Sequence, residues 1–200
     1  MLVLLLVILA GTAAGRAAGG TVRAIACFRL RWLPLLVAAL VGQVVLGSLT
    51  EHAGIGAVLR ATIVVGSDTA VGVVLARNLP GRHRSEQFAL CLTGAGWCLN
   101  WLPIVADKAM PVSHKALVEA GMASLDVSRG NLGKHVLAAT GTGMPHGWLF
   151  LGDWIAVPPL RTVLSPGDLV MALGLAVLIA AAMARAQTPR EDLAARSNTL

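Results

Sequence analysis

Five runs of mostly apolar residues, each roughly 17 to 23 long, constrain this chain more than any motif in it; they cover 2–19, 32–49, 54–76, 87–106 and 168–184. Coiled as a helix, a run of that length matches the hydrocarbon thickness of a bilayer. Lipid also demands it, because a helix satisfies every backbone N–H and C=O within the segment. Composition agrees: 56% of the 200 residues are hydrophobic and 13% charged, where a soluble domain carries about 25% charged residues. Mean hydropathy is +0.74. The expectation is an all-α integral membrane protein, one domain over 1–186. It is a bundle of about five transmembrane helices with a structured outer-face segment over 107–167, and a polar cytoplasmic tail follows over 187–200.

Orientation comes from the arginines. Arg16, Arg23, Arg29 and Arg31 follow the first run, Arg77, Arg82 and Arg84 follow the third, and Arg185, Arg190 and Arg196 follow the fifth. These are ten of the sixteen basic residues, and the positive-inside rule places all three groups on the cytoplasmic side. The N-terminus is then outside and the C-terminus inside. The first run has no basic segment before it, and its first charge, Arg16, comes after the apolar core, so it reads as an uncleaved span in the plasma membrane rather than a signal peptide.

The net charge of +6 does not point to nucleic acid, because the basic residues flank apolar runs and form no stripe with stacking aromatics. Cys27, Cys91 and Cys98 make no CxxC pair, and His114, His135 and His146 lack HxxxH spacing. Neither a metal site nor a cofactor is expected. The expected partner is the lipid bilayer, with a lipid or lipidated substrate as the candidate ligand.

Polar residues cluster between 130 and 174. Ser165-Pro166-Gly167-Asp168 is a capping-box pattern, with proline at the first helical position. Asp168 therefore has a structural reading, as the carboxylate at the positive end of the last span. Asp153 lies between Leu149-Phe150-Leu151 and Trp154-Ile155, where a bare carboxylate near lipid is costly. It has either a basic partner or turn role, or a place in a cleft at the outer surface. If the Pro158-Pro159 turn folds the chain back, Asp153 and Asp168 approach each other and can share a proton. That is the physical basis of an aspartic hydrolase, in which one carboxylate activates water and the other protonates the leaving group.

The leading expectation is a protein that binds a lipid headgroup, a lipidated ligand or a partner protein at the outer leaflet through 130–168; Lys134 and His135 suit a lipid phosphate, with Asn100 and Asn131 as further ligand-binding candidates. Asp68 lies mid-span, eight residues from Arg60, which is about 12 Å along a helix. Direct pairing of the two needs a break near Gly66. The alternatives are a carboxylate satisfied by a neighbouring helix and an ion- or proton-coupled transport site. Gly54, Gly56, Gly94 and Gly96 suit close helix packing. In the outer segment, Ser113 to Gly121 predicts a short capped helix, Asn131 to Ala139 a second one, and Trp148 to Ile155 an interfacial stretch.

Taken in order, Asn100, Met110-Pro111-Val112, Lys134-His135, Phe150-Leu151-Gly152-Asp153 and Ser165-x-Gly167-Asp168 resemble one family over nearly the whole chain. It is a group of small bacterial membrane proteins, common in actinobacteria, known only as a domain of unknown function. The resemblance implies the topology and no activity. The final third also resembles the closing motifs of lipoprotein signal peptidases, through Gly130-Asn131-Leu132 and the Asp168 that opens the last span. That likeness implies a catalytic aspartate at Asp168. The family's other aspartate has no counterpart, because Lys134 stands in its place, which leaves Asp153 as the substitute.

Overall fold

The computed structural model describes residues 2–52, 57–107, 110–122, 131–132, 135–137 and 148–185. Five long helices occupy the five apolar runs: α1 (Leu2–Ala17), α2 (Leu33–His52), α3 (Ala57–Asn78), α4 (Arg84–Asp107) and α6 (Pro166–Ala184). A short α5 (His114–Glu119) lies between α4 and α6. Helix α2 runs on through Glu51 and His52. Two of the helices, α4 and α6, are long and apolar enough to cross a membrane.

Small residues set the central packing. A Cβ built on Gly96 of α4 would stand 2.6 Å from the Gly167 carbonyl, and one on Gly174 of α6 would stand 2.8 Å from Thr93 Cα. Neither site has room for a methyl group, so these glycines are what let the two backbones touch. Gly94 faces open space and plays no part in this packing, while Gly54 and Gly56 lie outside the described residues. As residue numbers rise along α4 they fall along α6, so the pair is antiparallel. On α1, a Cβ at Gly11 would meet the Ala176 carbonyl at 2.7 Å and one at Gly15 would meet Met183 Sδ at 2.7 Å. Here the numbers rise together, so α1 runs parallel to α6.

The remaining helices alternate in direction. Asn78, at the end of α3, accepts from Arg31 N at 2.8 Å and donates to Arg31 O at 2.9 Å, just before α2 begins. The next residue, Trp32, is held at φ 62, left-handed backbone that non-glycine residues rarely adopt. Arg77 lies over its ring at 5.0 Å. Trp97 of α4 packs on Gly72 of α3 and donates to Asp68 O at 2.9 Å. The bundle turns apolar side chains outward as well as inward: Leu4, Leu9, Val44, Val58 and Leu173 are all more than half exposed.

The 107–167 segment departs from the all-α expectation. β1 (Met110–Val112) pairs in parallel with β3 (His135–Leu137), which pairs antiparallel with β2 (Asn131–Leu132). The helix expected from 131 to 139 is therefore these two strands. Gly133 weakens a helix there, and the free edge of β1 offers a hydrogen-bonded alternative that local propensity does not contain. β4 (Ile155–Val157) and β5 (Thr162–Leu164) form a hairpin with Ile155 opposite Leu164. A 3₁₀ turn over Pro158–Leu160 and Arg161 at φ 47 close it. α5 forms as expected, capped by the Ser113 side chain and ended by Gly121 at φ 72.

Candidate functional site

Asn100, Asp153 and Asp168 lie toward one end of the bundle. Ser165 Oγ accepts from Asp168 N at 2.9 Å, and Asp168 Oδ2 accepts from Ser165 N at 3.0 Å, so the capping box closes in both directions. Asn100 of α4 joins it, donating through Nδ2 to Asp168 Oδ1 at 2.8 Å while its Oδ1 accepts from the Ser165 hydroxyl at 2.8 Å. Ser165 is fully buried. These bonds give Asp168 a structural task, the capping of α6 and its attachment to α4. Asn100 is its partner across the helix interface.

Asp153 is buried, 7% exposed. Its backbone continues the small sheet on the edge of β1 opposite β3, with Asp153 N donating to Pro111 O and Ser113 N donating to Asp153 O, both at 2.9 Å. The hairpin register places Asp153 and the start of α6 beyond the same end of the β4–β5 ladder. The Pro158-Pro159 turn thus folds the chain back as the sequence suggested. Flanking Asp153, Leu151 is buried while Phe150 is 62% and Trp154 49% exposed. Trp154 Nε1 donates to the backbone oxygen of Phe150 at 3.1 Å, which ties the indole back to the start of this stretch.

Asn131 and His135 lie on β2 and β3 by their backbones. Lys134 and the 187–200 tail lie outside the described residues. Arg60 is on α3 by its backbone, and that helix runs unbroken through Gly66. Asp68 meets a neighbouring helix: Gln43 Nε2 of α2 donates to Asp68 Oδ1 at 3.0 Å and to Ser67 Oγ at 3.3 Å. Trp97 and Trp101 stack beside this layer with centroids 5.5 Å apart.

Sequence reasoning passed over Glu86. It is 1% exposed and sits at the opposite end of α4 from Asn100, paired with Arg185 at 3.2 Å and Arg82 at 3.7 Å. The signal was present: an Arg–Glu pair at i,i+4 supplies the one acid in an arginine-rich stretch. Among the described residues, no group of three or more His, Cys, Asp or Glu is placed to hold a metal ion.

No curated protein and no solved structure matches the chain. Residues 27–180, which include Asn100, Asp153, Asp168 and Glu86, match the model of a family of unknown function, DUF5317, and the chain belongs to that family.

Proposed function

We propose that this protein is a multi-pass membrane protein that binds an amphiphile, a lipid headgroup with its chains or a lipidated ligand, at its outer face without turning it over. The supporting observation is exposed Phe150 and Trp154 on either side of buried Asp153, whose backbone is fixed to β1. Aromatic side chains of this kind favour the headgroup level of a bilayer, with an apolar body and, in tryptophan, a polar edge. Supporting the membrane setting are the outward leucines and valines, the alternating helix directions and the arginines gathered at one end. A contiguous apolar surface of that extent is not left to water by soluble monomers. In this reading all five long helices span the membrane, the N-terminus is outside, and the β layer lies on the outer leaflet.

The test uses the full chain in nanodiscs and a fluorescent peptide carrying a diacylglyceryl cysteine. Binding should saturate, and the double variant Phe150→Ser, Trp154→Ser should weaken it at least about tenfold, since burying one large apolar side chain is worth about 1.5–3 kcal/mol. Helix content should not change. Equal binding by the double variant refutes the reading. Cleavage of the peptide that vanishes in Asp153→Asn replaces it with the aspartic-hydrolase reading.

A further inference from the structure

The end of the bundle opposite the β layer holds a cleft. It has a volume of about 330 Å³ and is lined by Ala24, Cys27, Phe28, Arg82, Glu86 and Arg185. Glu86 to Asn100 is fourteen residues along α4, about 21 Å of helix, so the two sites share no residue.

Among the described residues, two guanidinium groups face one carboxylate here. Arg82 is held on three sides. It donates to Arg29 O and, at 3.2 Å, to Asn78 Oδ1, and its guanidinium lies 4.2 Å from the centre of the Phe28 ring. A fork fixed in this way loses little freedom when it takes up another acceptor. Arg185 sits at the mouth, with a side chain 57% exposed, tethered by Nη1 to both Glu86 oxygens at 3.2 and 3.4 Å. Ala24, Cys27 and Phe28 supply an apolar wall beside the charges. Arg16, Arg23, Arg29, Arg31, Arg77 and Arg84 belong to the same end of the bundle, and Glu86 is the one acid at this end among the described residues.

We infer that this cleft binds the phosphate group of an anionic ligand between Arg82 and Arg185, with Glu86 as the positioning residue that holds the two forks apart. A cation would meet two guanidiniums. A phosphate instead offers several acceptor oxygens to two forks, each with five N–H donors. The apolar wall favours a phosphate that carries hydrocarbon, as a phospholipid headgroup does, and soluble phosphate is the other source of the same chemistry.

The experiment is calorimetric titration of the full chain in dodecyl maltoside with dihexanoyl phosphatidylglycerol, dihexanoyl phosphatidylcholine and inorganic phosphate. Phosphatidylglycerol should bind saturably. Arg185→Gln should weaken it at least about tenfold, which corresponds to the loss of one charge-assisted hydrogen bond. Arg185→Lys should recover part of that loss, and Arg84→Gln, which removes the same charge from outside the cleft, should stay within about twofold of the parent protein. Phosphatidylcholine should bind more weakly, since its choline cancels the phosphate charge. Inorganic phosphate that competes on equal terms assigns the site to a soluble anion, and phosphate that fails to compete assigns it to the lipid. Absence of saturable binding to either source overturns the inference, as does an Arg84→Gln loss as large as that of Arg185→Gln. Neither result bears on the outer-face reading, which concerns other residues and another probe.

Discussion

The hydrogen bonds that join α4 to the start of α6 have a fixed proton order, and exchanging two of their residues tests it. The Asp168 carboxylate only accepts, so Asn100 must turn its Nδ2 toward it, at 2.8 Å. That leaves Asn100 Oδ1 for the Ser165 hydroxyl, whose oxygen then accepts from Asp168 N. In Asp168→Asn the single amide oxygen serves Ser165 N, and its NH₂ group faces Asn100. Asn100 must then rotate, and the hydroxyl proton of fully buried Ser165 loses its acceptor. An unsatisfied buried donor costs about 1–3 kcal/mol, and the lost charge at the helix start about 0.3–1 kcal/mol. The expected destabilisation is about 2–3 kcal/mol by these values. Asn100→Asp sets two carboxylates side by side and should cost about as much. In the double variant the carboxylate at position 100 accepts from both the Ser165 hydroxyl and the amide at position 168, and every polar atom has a partner again. The double variant should therefore be more stable than the summed single losses predict by about 1.5 kcal/mol, within the range seen for residues in one network. Unfolding of the full chain in mixed detergent–dodecyl sulfate micelles, followed by circular dichroism, measures all four corners of the cycle. Additivity within about 0.5 kcal/mol would refute the proton order.

Gly96→Ala places a methyl group against the backbone of α6 at Met171 and Gly167. It should destabilise by about 1–3 kcal/mol through overpacking, whereas Gly94→Ala, facing open space, should be neutral or slightly stabilising in the same unfolding assay. Gln43→Leu removes the amide that donates to Asp68 and Ser67. The expected cost is about 1–2 kcal/mol, because hydrogen bonds to charged groups run higher than neutral ones, and a loss below about 0.3 kcal/mol would mean that Gln43 is not what satisfies this layer.

What the sequence made legible is what a short window contains. The five apolar runs, the Ser113 cap and the Ser165–Asp168 capping box are each set by residues within a few positions of one another; each run forms a helix, and both caps close. The two strands over 131–137 were not legible, because β2 pairs only with β3, and β3 in turn pairs with β1, more than twenty residues earlier, which nothing local marks as an edge strand waiting for it. The same reason hid the partner of Asp68. Its neighbour Gln43 belongs to another helix, and a sequence gives helix faces but not which face meets which. Rotation likewise separates Gly96 from Gly94: two positions amount to about 200° around a helix, so one glycine meets α6 and the other does not. Glu86 was overlooked for a different cause, since an acid between arginines reads as a surface ion pair until its 1% exposure is known.

α6 connects the two ends of the molecule. Its first turn is bound to α4 through Asn100, and Arg185, just past its last turn, is bound to α4 through Glu86. Between them Gly167, Gly174 and Gly96 bring the two backbones into contact. A helix pinned at both ends and close-packed along its length has little freedom to slide or rotate against its partner, because packed interfaces do not deform continuously. α2 reaches α3 through a smaller set of contacts, the Asn78–Arg31 clasp at one end and the Gln43–Asp68 bond near the middle. The β layer is attached to this frame too, because β1 and the turn before Asp153 pack on α4, so α4 and α6 hold the two ends of the molecule in a fixed relation to each other.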